Sequence, residues 1–188
     1  VNINEFSLSY PLIKEDNENY DYLIPKISFR INPSHMKNYS ADSRLITTDN
    51  VFSINRLGLS ETYESGKTLT LGLDYKKEDL SNNEKFFEVK FAGVIRDTPE
   101  YKIPQSSSLQ GKTSNLIGSI ENKFSKYLTF NYDFSLDNDF TTVEHNNFTT
   151  EFKVNNFVTE FNFHESNGKI GDSNFLSNET SISFDDNN

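Results

Sequence analysis

The stretch Tyr127–Asp139, YLTFNYDFSLDND, alternates almost without a slip: Leu128, Phe130, Tyr132, Phe134 and Leu136 fall on one parity, and Thr129, Asn131, Asp133 and Ser135 on the other. A period of two puts successive side chains on opposite faces of a β-strand, so this segment reads as a strand with one apolar and one polar face. Either a protein core or lipid can satisfy the apolar face, and the rest of the chain bears on which.

The same pattern recurs along the 188 residues. NEFSLSYPL sets Phe6, Leu8, Tyr10 and Leu12 together, and YLIPKISFRI sets Leu23, Ile27, Phe29 and Ile31 together with Pro25 at an irregular start. KTLTLGLDYK carries Leu69, Leu71, Leu73 and Tyr75; KFFEVKFAGVIR carries Phe87, Val89, Phe91 and Ile95, opposed by Glu88, Lys90 and Arg96. Leu116, Ile120 and Phe124 share a parity, as do Phe148, Phe152 and Val154; then Phe157, Phe161 and Phe163; then Leu176, Ile182 and Phe184. With a further strand near Val51–Arg56 the count is about ten. Turn residues separate the runs. Asn155–Asn156 and Ser125–Lys126 suit tight hairpins, whereas DNDFTTVEHNN, ESNGKIGDSN and RDTPEYKIPQSSSLQGKTS are longer. From residue 77 onward short and long connections alternate, the plan of an up-and-down barrel with turns at one rim and loops at the other. Residues 32–50 do not fit this rhythm.

Composition narrows the classes. Phe (17) and Tyr (9) are abundant, Met occurs once and Trp and Cys are absent, which favours strands and excludes a disulfide framework or a cysteine metal site. A net charge of -10 is the wrong sign for a nucleic-acid surface. Val1 in place of Met, and a pattern that continues to FDDNN, read as an internal piece of a longer protein.

Three features favour lipid over a soluble sandwich. The alternating runs exceed the usual strand of about 5–6 residues and match the roughly 9–11 of a tilted membrane strand. The apolar parity of the clearest strands is free of charge, while Lys90, Asp133, Glu151, Lys153, Glu160 and Glu179 take the opposite parity, which would face a wet lumen. Neighbouring strands leave little room for crossovers. The expected fold is all-β, an antiparallel up-and-down transmembrane segment of about ten strands from a larger barrel, with residues 1–188 in a single domain.

DSRLITTDNVFSINRLGLSETYESGKTLTLGLDY (42–75) carries Asp42–Ser43, Asp49 before Val51–Phe52, Asn55–Arg56, Gly58, Glu61, Glu64, Gly66 and Gly72–Leu73. This ordered set, together with IPQSSSLQGKTSNLIGSIENKFSKYLTFNYDFSLD (103–137), resembles the barrel domain of the LptD family, the lipopolysaccharide-assembly or organic-solvent-tolerance proteins. The family's Asp-Arg-x-Glu in the glycine loop reads Ser60-Glu61-Thr62-Tyr63-Glu64 and lacks the Arg. The resemblance implies a wall segment of the outer-membrane translocon of a Gram-negative bacterium, inserting lipopolysaccharide into the outer leaflet. It also implies an LptE-like lipoprotein plug, an LptA-like periplasmic bridge reached through a jelly-roll domain lying outside this chain, and contact with outer-membrane lipid. The alternatives are another outer-membrane barrel, porin or enzyme, and a soluble extracellular β-sheet adhesin.

No catalytic, cofactor or metal residue is assigned. Gly66–Thr68 and Gly111–Thr113 both read GKT, but Glu61 and Ser106 stand where a phosphate loop needs its first Gly. His35, His145 beside Glu144 in an expected loop, and His164 beside Glu165 at an expected strand end read as solvated polar residues rather than a triad. DNDF (137–140) and GDSN (171–174) hold oxygen ligands that also suit turns. Lys76, Lys90, Arg96 and Lys153 read as lumen charges paired with Glu88, Glu151 and their neighbours.

Overall fold

A computed structural model describes residues 2–168 and 171–183. The fold is all-β: of the described residues 58% lie in strands and none in an α-helix. Ten strands form one antiparallel sheet: β1 (Asn4–Ser9), β2 (Leu12–Glu15), β3 (Asn19–Asn32), β4 (Gly66–Asp79), β5 (Lys85–Arg96), β6 (Leu116–Ser125), β7 (Leu128–Leu136), β8 (Val143–Val154), β9 (Phe157–Gly168) and β10 (Gly171–Ile182). From β3 to β10 each strand pairs with its sequence neighbour. β1 and β2 both pair with β3 and so act as one strand broken at Tyr10–Pro11, where proline removes a ladder donor. The described sheet is open, with β10 and β1–β2 at its two edges.

Connections 16–18, 80–84, 126–127 and 155–156 lie at one end, and 33–65, 97–115 and 137–142 at the other. The short–long rhythm therefore holds up to β9. The expected long loop ESNGKIGDSN is instead mostly strand, because β9 runs to Gly168 and β10 starts at Gly171. Phe184 lies outside the described residues.

The register keeps one parity on each face across the sheet. Leu23, Ile27 and Phe29 of β3 line up with Tyr75, Leu71 and Leu69 of β4, which line up with Val89, Gly93 and Ile95 of β5. This outward face is uncovered: Phe6, Leu8, Ile27, Phe29, Leu71, Leu73, Phe91 and Ile95 are all exposed. The inward face carries the polar parity, and part of it is buried. Ser28, Arg30, Asn32, Thr68, Thr70, Asp74 and Arg96 are buried, and segment 33–65 reaches Arg30, Asn32, Thr70 and Arg96 among them.

The expected strand near Val51–Arg56 does not form. Those residues belong to a succession of turns within 33–65, a segment that folds back over the inward face of β3–β6. Its apolar residues Met36, Ile46, Val51, Leu57 and Leu59 meet Ile103 and Leu109 of segment 97–115, and all of them close on Ala92, Val94 and Ile117. The core thus sits on the polar side of the sheet, at the place where that side becomes apolar. Ala92-Gly93-Val94-Ile95 interrupts the charge alternation of β5, a local sign in the sequence of a two-sided strand.

Candidate functional site

The centre of the covered region is a buried ion cluster. Glu64, at the end of the covering segment, receives Nη2 of Arg30 at 2.6 Å and Nε of Arg56 at 2.7 Å on Oε2. Its Oε1 accepts from Nη2 of Arg56 at 2.6 Å and from Nη1 of Arg96. Further donors of the three arginines reach Ile54 O, Val51 O, Thr70 Oγ1, Ser65 O and Thr98 O, so the segment is tied to β3, β4 and β5 at once. Burial by itself would raise the Glu64 carboxyl, but Arg56, Arg30 and Arg96 outweigh it and hold it below its ordinary value. Local geometry prepares the site. Asn55 Oδ1 accepts from the Leu59 amide, and its Nδ2 donates to Leu59 O across Gly58, whose φ of +58° suits glycine. Arg56 and Glu64, read above only as parts of a resemblance, are therefore structural anchors.

Elsewhere the inward face is uncovered. On β8–β10, Glu151 faces Glu160 and Glu160 faces Glu179 across the strands. Like charges directly opposite one another repel, and water is what relieves them. Lys90 meets Glu88 at 3.2 Å and Asp49 at 3.3 Å, and Lys85 bridges Glu88 and Glu121. Two expected pairings change. Arg96 turns to Glu64, and Lys76 meets Glu78. Lys153 makes no ion pair among the described residues.

The outward face is bounded. Asp21 and Lys77 form a pair 3.5 Å apart at the short-turn end, and Lys67, opposite Ile31, marks the loop end. Between them β3 presents Leu23, Pro25, Ile27, Phe29 and Ile31, without charge. From Asp21 to Ile31 the chain advances roughly 33 Å at about 3.3 Å per residue. At the tilt of about 40° common to barrel strands a run of that length would span about 25 Å. Glu165 also falls on the outward parity, near the loop end of β9, where Asn146 Nδ2 donates to it at 3.2 Å.

The remaining candidates resolve locally. His145 lies inside β8 and His164 inside β9, not in a loop and at a strand end; their rings meet edge to face at 4.7 Å. Among the described residues neither ring hydrogen-bonds a carboxylate or a nucleophile, and Nδ1 of His145 is buried without a partner. Asp137 is a turn former: its carboxylate accepts from the amides of Thr141 and Thr142 at 2.8 and 3.2 Å, which outweighs desolvation and holds its acid below the ordinary value. Residues 171–174 are strand, with Asp172 and Ser173 on opposite faces, so they do not converge on an ion. Among the described residues no three His, Cys, Asp or Glu gather as a metal site. The first GKT opens β4 and the second lies in the 97–115 connection. No protein-family model and no curated protein matches the chain.

Proposed function

We propose that the chain is a stretch of outer-membrane barrel wall, with its outward face in hydrocarbon and its inward face toward a hydrated lumen. One observation carries this reading: the outward face of β3–β5 is uncovered and free of charge between the Asp21–Lys77 pair and Lys67, a run that would span about 25 Å at the tilt of a barrel strand, and it backs onto a face that is charged or sealed by the chain itself. Apolar area of this extent exposed on a monomer marks a contact surface, and a bilayer fits a band bracketed by charge at both ends. The open edges fit as well. Unpaired backbone edges are not stable in lipid, so β1–β2 and β10 need further strands to close a barrel wider than ten strands.

Within that class, the ordered residues 42–75 and 103–137 support a role in lipopolysaccharide assembly like that of the LptD family. On this reading, lipopolysaccharide's sugar and phosphate groups use the wet inward side, and a lipoprotein plug and a periplasmic bridge are the protein partners. Two experiments separate the levels. Fractionation of cells producing the protein is expected to place it in the membrane pellet, released only by detergent; recovery in the soluble fraction favours an extracellular adhesin. Depletion of the protein is then expected to lower newly made surface lipopolysaccharide. Unchanged surface lipopolysaccharide with the protein in the membrane leaves a different barrel.

A further inference from the structure

Three strand glycines behave differently. A Cβ on Gly72 would lie 2.7 Å from the Phe52 ring, and one on Gly118 would lie 2.3 Å from the Phe134 ring. In both, an aromatic ring of this chain fills the space that glycine leaves. A Cβ on Gly93 would meet nothing closer than 4.0 Å, and the backbone there has no positive φ to demand glycine. Its notch is left empty by the chain.

Gly93 lies on the outward face between Phe91 and Ile95, where the β5–β6 ladder ends at Ala92–Ile117. Beyond that point the pairing with β5 continues one residue out of register, through Ser114 N to Val94 O, Arg96 N to Lys112 O and the isolated Ile95–Thr113 bridge, with Ser114 Oγ accepting from Val94 N. Over this irregularity the outward face carries an apolar groove of about 510 Å³, walled by Leu71, Leu73, Phe91, Ile95 and Leu116. Its lip comes from the β7–β8 connection, where Asn138 Nδ2 donates to Thr113 O at 3.2 Å. Phe140 overhangs there with φ +57° and 65% exposure. A bulky residue in the left-handed region is a strained backbone that the surrounding turn must impose, and such strain gathers at ligand sites. Here the Asp137 turn imposes it. The volume, apolar lining and few uncharged polar groups at the mouth are those of a small-ligand site.

We infer that this groove seats one acyl chain of a bilayer lipid, lying over Gly93 beneath Phe140. The inference rests on the membrane reading, because it is continuity with the charge-free band that supplies hydrocarbon to the groove. A chain held there has protein on its flanks, unlike lipid that merely coats Phe29 or Leu71.

The test uses the full-length protein in phosphatidylcholine nanodiscs in which one acyl chain carries a diazirine, with cross-links mapped by mass spectrometry. Labelling at Phe91, Leu116 and Phe140 is expected to exceed that at Phe29 and Leu8. Gly93→Leu, which fills the notch, is expected to lower groove labelling about five-fold, the factor of roughly 1 kcal/mol, with Phe29 and Leu8 unchanged. Phe140→Ala, on an exposed loop, repeats the test should Gly93→Leu fail to fold. Uniform labelling of groove and band, unaltered by either variant, overturns the groove while leaving the membrane reading standing. No labelling of any outward residue overturns both.

Discussion

Glu64 is the residue on which the covered face depends. Removing it leaves three arginines facing one another out of water, and breaking a buried charge network of this kind costs about 3–5 kcal/mol. Glu64→Gln is therefore expected to lower the urea midpoint of the folded protein far more than Glu61→Gln, whose exposed carboxylate pairs only with Lys37. The sign with pH follows from the depressed carboxyl. Because the folded value lies below the unfolded one, the cluster stabilises fully above the ordinary glutamate range and loses that contribution as pH falls through the folded value. An acid titration of unfolding is expected to show a larger loss below about pH 4.3 in the parent protein than in Glu64→Gln. None of this was legible in the sequence. Arg30 and Arg96 sit on strands as ordinary polar-parity charges, and only the fold brings them to a glutamate far along the chain.

At the scale of elements, the strands were legible and their cover was not. Strict alternation located β3–β9 because period two is a local property of the backbone. Segment 33–65 lacks any period. Its apolar residues are spaced by turns, and Val51–Arg56 mimicked a strand over too few residues to exclude one. Two strand glycines record how closely rings pack on the two faces. Gly118→Val is expected to cost about 1–3 kcal/mol by driving Phe134 from its position on the outward face. Gly72→Ala is expected to loosen the cover through Phe52, read as faster proteolysis within 33–65. The double variant Gly118→Val with Phe134→Ala recovers part of the first loss if the ring is the cause.

At the scale of the whole molecule the two faces predict opposite tolerance to charge. On the proposed membrane reading Ile27→Arg, in the middle of the outward stripe of β3, is expected to cost about 2–4 kcal/mol of folding into bilayers and to abolish assembly. Thr149→Arg, on the inward face, loses only the hydroxyl's hydrogen bond to Asn162 Oδ1 and is expected to cost about 1 kcal/mol. Urea titration of vesicle-bound protein checks both. Equal effects at the two positions contradict a lipid-facing band.

The sequence by itself determined that this chain is a meander of long antiparallel strands with a greasy and a polar side, since alternation, turn residues and the scarcity of Ala and Met are all local. Only the tertiary structure decided which side the chain covers. It is the polar one, sealed over β3–β6 by a segment whose contacts join residues distant in sequence: Glu64 to Arg30 and Arg96, Phe52 to Gly72, and Val51 to the cluster that holds Ile103 and Leu109. Such contacts depend on where strands lie in space, and no short-range pattern encodes that.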